Sequence, residues 1–229
     1  MCGRLTIMLP PEELALQLGL DPEALRGLAP RANAAPSQLL PVLRLNTDTR
    51  QPEVVPLRWG LVPTWAKSGS GVAVGVVNAR AETVAQKPSF REAGDRRRCL
   101  VPADGFLEWE QIAGKKQPHW FRLNGGVPFG FAALWEPPAP AAKHPGGTVA
   151  ILTVEATADV SDYHDRMPAM LRPERFADWL TALDWPSALA VLTPWPEGSV
   201  THHPVSTELN SPSADRPEML RPVVASLFD

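Results

Sequence analysis

A chain that places 26 prolines and 16 glycines among 229 residues cannot run long uninterrupted helices. Each proline removes a backbone donor and blocks helix propagation, so short strands and many turns are expected, with helices brief and peripheral. Residues 10–20 (PPEELALQLGL) read as one such helix. Pro11 suits its first turn, Glu12 and Glu13 complement its dipole, and Leu14, Ala15 and Leu18 share a face. Residues 31–36 read as a loop, 41–45 and 53–62 as strands, and Pro56 marks the second of these as an edge. Residues 72–77 alternate apolar with small residues and predict a buried strand that delivers Asn78-Ala79-Arg80-Ala81-Glu82 at its end. A helical turn is expected at 88–94, followed by a solvated basic run at Arg96, Arg97 and Arg98.

The second half predicts a meander of strands at 105–112, 118–123 and 127–136, with turns at 113–116 and 124–126, and a central strand at 148–156. A short helix is expected at 157–164. An amphipathic helix at 173–183 buries Phe176, Trp179, Leu180 and Leu183, and 188–193 reads as a strand. Few helices against many strands predict an α+β domain built mainly from antiparallel sheet, as a distorted barrel with peripheral helices.

Composition narrows the chemistry. A formal net charge of −3 excludes a protein that coats duplex DNA by bulk charge, so a nucleic-acid site must be a local basic groove. Two cysteines, Cys2 and Cys99, and no secretory leader pattern point to a reducing, cytoplasmic setting. No apolar run approaches the ~20 residues of a membrane span. The five histidines and two cysteines show no CxxC or HxxxH spacing, and there is no Gly-rich phosphate loop, so neither metal nor cofactor is expected.

The chain starts Met1-Cys2-Gly3-Arg4. Removal of Met1 would give Cys2 a free α-amine beside its thiol. An amine condenses with an aldehyde to an imine, and the neighbouring thiol closes on the imine carbon to give a thiazolidine; an internal cysteine cannot do this. Reference pKa values of ~7.7–8.0 for the amine and ~8.5 for the thiol leave part of each nucleophile available near neutrality. Further along, period 2 places Phe106, Glu108 and Glu110 on one face of a strand and Leu107 and Trp109 on the other. Glu108 thus sits mid-strand among apolar neighbours, where a carboxylate is costly without a partner or a task. His164 follows a short helix whose dipole should favour its protonated form. The Gly/Ser loop after Trp65 can present that ring to solvent.

Four segments in this order, Met1-Cys2-Gly3-Arg4, Asn78-Ala79-Arg80-Ala81-Glu82, Gly105-Phe106-Leu107-Glu108-Trp109 and His164-Asp165-Arg166-Met167-Pro168, closely resemble the SRAP family (SOS-response-associated peptidase), whose members are abasic-site processing proteins. Residues 59–65, 115–118, 203–206 and 210–212 extend the match. The resemblance implies a single domain at 2–222 with the SRAP fold and a tail at 223–229. Departures are Ala32 and Leu107 where an aromatic is usual, and Arg216 where a glycine is common. The activity it implies is covalent capture of abasic sites in single-stranded DNA by Cys2 during the response to DNA damage, with possible lyase and self-processing chemistry. Cys2, Asn78, Glu108 and His164 are the implied catalytic residues. Arg4, Arg80 and Arg166 are candidates for flanking phosphates, and Trp65 and Trp109 for stacking on exposed bases. A monomer that acts in the cytoplasm and joins the nucleoid when bound to DNA is expected. Two other readings stand beside it: a cysteine peptidase or amidase using Cys2 with His164, and a non-catalytic nucleic-acid binding module.

Overall fold

A computed structural model of the chain describes residues 3–66, 75–139 and 146–223. In chain order its strands are β1 (Leu5–Ile7), β2 (Arg31–Ala34), β3 (Leu39–Leu45), β4 (Pro52–Trp59), β5 (Asn78–Arg80), β6 (Arg98–Ala103) and β7 (Gly105–Ile112). They continue with β8 (Lys115–Leu123), β9 (Phe129–Glu136), β10 (Thr148–Glu155), β11 (Arg166–Pro168), β12 (Met170–Leu171) and β13 (Val200–Pro204). The α-helices are short: α1 (Pro11–Gln17), α2 (Arg91–Arg96), α3 (Ala158–Ser161), α4 (Phe176–Thr181) and α5 (Trp185–Val191).

The strands do not all gather into one sheet, although in the larger one the pairing runs from β10 through β4, β3, β6 and β9 back to β10. Among the described residues they divide into a five-stranded sheet, ordered β13-β8-β7-β1-β2, and an eight-stranded sheet. One face of the five-stranded sheet, with Leu5, Phe106 and Phe121, joins the main core shared with the larger sheet. Its other face, with Ala32 and Leu107, is covered by Val205, Leu209, Met219 and Leu220. In the larger sheet β10 has neighbours along both edges. It runs parallel to β4 and then β5 on one side, and antiparallel to β9 and then β11 on the other. The sheet is therefore mixed, with antiparallel pairs in the majority.

Proline placement follows the ladder. Pro41 on β3 faces Pro56 on β4, so both missing donors fall where neither strand needs one. Among the described residues β4 pairs beyond β3 with β10 alone, at Arg58 and Trp59, so the Pro56 stretch is locally an edge as expected. The β7–β8 hairpin is tighter than expected. Ile112 pairs with Lys115, leaving Ala113 (φ 48°) and Gly114 (φ 80°) as a two-residue turn of the left-handed kind that matches strand twist.

Several expectations are corrected. Residues 31–34 form strand β2 rather than loop, because Asp215 accepts from the Ala32 and Asn33 amides at 2.6 and 2.9 Å and β1 pairs alongside. Buried Asn33 donates to the carbonyls of Leu209, Ser211 and Ala214, which ties the C-terminal segment to β2. Of the strand expected at 72–77, residues 72–74 lie outside the described set; Val76 makes an isolated bridge to Leu61, and Asn78 and Arg80 lie within β5 rather than at the end of that strand. Of the arginine run, Arg96 is exposed as expected, but Arg97 and Arg98 are not a solvated face. Arg97 bridges Glu92 and Glu136 at 2.7 Å each, and Arg98 is buried against the carbonyls of Gly94, Asp95, Trp179 and Ala182. The loose last turn of α2 supplies carbonyls that an arginine fork can satisfy. The expected helix at 173–183 ends at Thr181, which leaves Leu183 96% exposed. Residues 185–191 are helix α5, not a strand: Asp184 caps it by accepting from the Ser187 amide at 2.8 Å, and Pro186 suits its first turn.

Besides its ladders to β2 and β7, the N-terminal strand is clamped by a buried carboxylate. Asp104 accepts from the Thr6 hydroxyl at 2.7 Å and from the amides of Leu9 (2.8 Å) and Met8. Trp120 Nε1 in turn donates to Thr6 Oγ1 at 3.0 Å. Gly105 makes room for this chain, since a Cβ there would lie 2.3 Å from Trp120 Nε1. Asp104→Asn would set an amide NH2 against donors and should cost about 2–3 kcal/mol, read as a lower midpoint in chemical denaturation. An unchanged midpoint would mean that β1 docks without this clamp.

Candidate active site

Glu108 enters the site on β7. It is 4% exposed and lies in register opposite His119 on β8. Burial raises its carboxyl to about 7, with the positive charge of the chain's N-terminus opposing the rise. The N-terminal run comes in alongside: β1 pairs antiparallel to β7, Leu5 opposite Phe106, and the Leu107 amide donates to the Arg4 carbonyl at 3.2 Å. Cys2 itself lies outside the described residues. Cys99, the other cysteine, is fully buried in β6, and burial pushes its thiol well above the usual range. That is a core residue and a poor nucleophile.

Asn78 and Arg80 come from the other sheet. On β5 they pair with Ile151 and Thr153 of β10, Asn78 half-buried and Arg80 exposed. On the opposite edge of β10, β11 brings Arg166 to face Glu155. Arg166 Nη2 donates to Glu82 at 2.8 Å and to the Thr153 carbonyl, and its side chain is 11% exposed. Its guanidinium is thus engaged inside the protein, as a brace between β10 and the segment after β5.

His164 sits just before β11. Its Nδ1 accepts from the Arg166 amide at 2.9 Å and lies 2.7 Å from Asp165 Oδ1. These contacts favour opposite protonation states of Nδ1, and the net direction is down. Burial lowers the imidazole pKa first, the N-terminal charge lowers it further, and Asp165 opposes both. The expected helix-dipole rise does not materialise, because α3 is only four residues long and has little dipole to offer. Glu108 lies in the five-stranded sheet and His164 on the span that leads into β11 of the larger one. The carboxyl is displaced upward, toward neutrality, and the imidazole downward, so near neutral pH Glu108 can hold a proton while His164 favours its neutral form.

The aromatic candidates divide. Trp65 is 60% exposed, as its loop suggested. Trp109 is half-buried and lies on the face of β7 opposite Glu108. Its Nε1 donates to Asn210 Oδ1 at 2.6 Å, and the Arg4 guanidinium lies 5.7 Å from its ring centroid. Arg4 and Trp109 are therefore neighbours on the outer face rather than part of the Glu108 face. The sequence reading passed over Tyr163, His119 and His202, which pack together beside the site; their signal was cross-strand register, which exists only once β7, β8 and β13 are paired. Among the described residues no group of three or more His, Cys, Asp or Glu side chains could hold a metal ion.

The family model described as SOS response associated peptidase (SRAP) matches residues 1–212. The abasic site processing protein YoaM of Bacillus subtilis is 34% identical over 226 residues, covering 96% of this chain and 97% of that protein. YoqW of the same organism is 35% identical over 224 residues, covering 96% and 99%. The abasic site processing protein HMCES of Gallus gallus is 34% identical, covering 85% of this chain and 66% of that protein. Among solved structures, a Bacteroides thetaiotaomicron protein superposes with a TM-score of 0.80 at 24% identity, covering 97% of this chain and all of that one, which shows a shared fold. A Bordetella bronchiseptica protein does so at 0.73 and 25% identity, covering 90% and 100%.

Proposed function

The chain belongs to the SRAP family of abasic-site processing proteins, and from that membership we propose that it captures abasic sites in single-stranded DNA as a thiazolidine on Cys2 after loss of Met1. The observation that carries this reading is the course of the N-terminal run along β7, with Arg4 bonded to Leu107 immediately beside the buried, proton-holding Glu108. A carboxyl that titrates near 7 suits both directions of proton traffic at neutral pH. It takes a proton from the Cys2 ammonium so that the amine can attack the aldehyde, and it returns one as the carbinolamine loses water to give the imine. The thiol then adds its sulfur to the imine carbon while its proton goes to nitrogen, closing the ring. No oxidant or cofactor is needed.

An abasic deoxyribose is mostly a closed hemiacetal and must open first. His164 takes the proton of the anomeric hydroxyl on Nε2 and returns it to the ring oxygen, with Nδ1 holding the other imidazole proton toward Asp165. Asn78, half-buried on the neighbouring strand, orients the sugar hydroxyl or the cysteine. Arg80 and Arg4 meet phosphates and Trp65 stacks on a base. Arg166 contributes mainly through its brace, because reaching DNA would require giving up Glu82. Trp109 borders the outer face with Arg4.

The test is incubation with single-stranded DNA carrying one abasic site, followed by heat and denaturing electrophoresis. A slow-migrating band is expected with wild type, and His164→Ala should form or release it more slowly. Non-covalent affinity should drop for Arg80→Ala and Trp65→Ala, with a salt slope of about −0.7 per neutralised phosphate. No band on abasic DNA, or equal affinity for intact duplex, would sink the reading.

A further inference from the structure

His164 occupies the two-residue span, with Asp165, between two anchors that belong to different sheets. On its C-terminal side Arg166 opens β11 and is paired to β10 in the eight-stranded sheet. On its N-terminal side Tyr163 is packed into the five-stranded sheet. The Tyr163 ring lies 4.7 Å from His119, 5.1 Å from Phe121 and 4.7 Å from His202, centroid to centroid. Those three walls come from β8 and β13, and they hold one another: Phe121 and His202 stack at 4.8 Å, and His119 Nδ1 lies 3.3 Å from His202 Nδ1. His119 is tied to β7 as well, its Nε2 lying 3.1 Å from Glu110 Oε2. A second tether runs beside the first, with Asp159 of α3 accepting from the amides of Gly198 and Val200 at 2.9 and 3.0 Å.

The residue opposite His119 in the β7–β8 ladder is Glu108. Tyr163 therefore packs on the strand paired to the one that carries the acid, while the chain from its neighbour His164 runs straight into β11 of the sheet that carries Asn78. Aromatic packing of this kind fixes a ring through several contacts, and a misplacement of ~1 Å at a reacting group can cost about 100-fold in rate.

We propose that Tyr163, seated among His119, Phe121 and His202, is a positioning residue that sets His164 against Glu108 across the seam between the two sheets. This rests on the covalent-capture reading for its kinetic consequence, but not for its geometry. The seat acts through the ring: the contacts are face and edge packing, so a phenylalanine should serve.

Three variants test it: Tyr163→Ala, Tyr163→Phe, and His202→Ala, which opens one wall without touching the His164 loop. Two readouts are taken on variants whose circular dichroism shows them folded. The first is the single-turnover rate of adduct formation on abasic single-stranded DNA, with non-covalent affinity measured alongside. The second is the imidazole nitrogen spectrum of His164 in the DNA-free protein. Tyr163→Ala should slow the adduct about 100-fold with affinity unchanged, and His202→Ala should slow it by a smaller factor. Tyr163→Phe should restore the wild-type rate. The His164 nitrogen signals should shift or broaden in Tyr163→Ala and match wild type in Tyr163→Phe. Wild-type rates and signals in folded Tyr163→Ala, or a Phe variant as slow as Ala, overturn the proposal. Absence of adduct from the wild type would defeat covalent capture instead, and the nitrogen spectra would then decide the seat by themselves.

Discussion

Retention of Met1 behind an N-terminal extension should abolish the heat-stable adduct, although the Cys2 thiol is still present. The chemistry needs the α-amine and the thiol on one residue, both reaching one aldehyde carbon. Blocking the amine as an amide removes the imine, and without the imine the sulfur has no electrophile to close on. Cys2→Ala removes the other half. It keeps the amine, so it should give at most an imine, trappable by borohydride and lost on heating. Wild type should need no reductant, because ring closure replaces the labile C=N bond with two single bonds in a five-membered ring. Cys99 cannot substitute in either variant: it is fully buried, with its thiol held well above the usual range. Peptide mass spectrometry should place the sugar remnant on Cys2 and show Met1 absent. Undiminished crosslink from the extended protein would falsify the aminothiol mechanism and favour a cysteine hydrolase that uses sulfur alone.

The second large effect is at Glu108, where activity and stability should move in opposite directions. Its folded pKa of about 7 lies above the ~4.3 expected of an unfolded glutamate. Between those values the folded state holds a proton that the unfolded state has released. Stability from this group is therefore full below ~4.3 and is lost as pH rises to 7, by an amount on the order of 3 kcal/mol. Glu108→Gln keeps the shape and removes the charge. Its denaturation midpoint should exceed that of wild type at pH 8, by roughly 1–3 kcal/mol in stability, and the gap should narrow as pH falls and close at about pH 4. Adduct formation by the same variant should fall about 100-fold or more, the usual contribution of a general acid–base group. A stability difference that does not vary with pH would remove the buried, proton-holding carboxyl, and a wild-type rate would remove its catalytic role.

Much of the site was legible because local rules expose it. Period 2 in Gly105–Ile112 placed Glu108 between apolar neighbours, and the strand forms over those same residues. Pro11 and the acidic pair Glu12 and Glu13 marked α1, whose Leu14 and Ala15 are buried. The elements misread are those where a distant partner overrides the local pattern. Residues 31–34 look like loop until Asp215, nearly the whole chain away, satisfies their amides. The arginine run looks solvated until carbonyls near residue 180 arrive to meet Arg98. At 185–191 the apolar run is compatible with either strand or helix, and the Asp184 cap and Pro186 in the first turn make it helix.

By itself the sequence determined the chemistry available: an aminothiol once Met1 is lost, a carboxyl forced into apolar company, an imidazole, and a proline content that permits only short elements. It determined the family too, since motif order is a linear property. Only the tertiary structure decided which of these groups share surroundings. The division into two sheets places Glu108 on one and Asn78 and Arg166 on the other, with His164 on the span between them. It turned the expected rise in the His164 pKa into a fall, because burial and the N-terminal charge outweigh a one-turn helix. It also drew Arg166 inward to Glu82 and set Trp109 on the far face of its strand. Side-chain identity fixes what a group can do. Which proton it holds, and what it faces, depend on burial and on neighbours tens of residues away, and those exist only once the chain has folded.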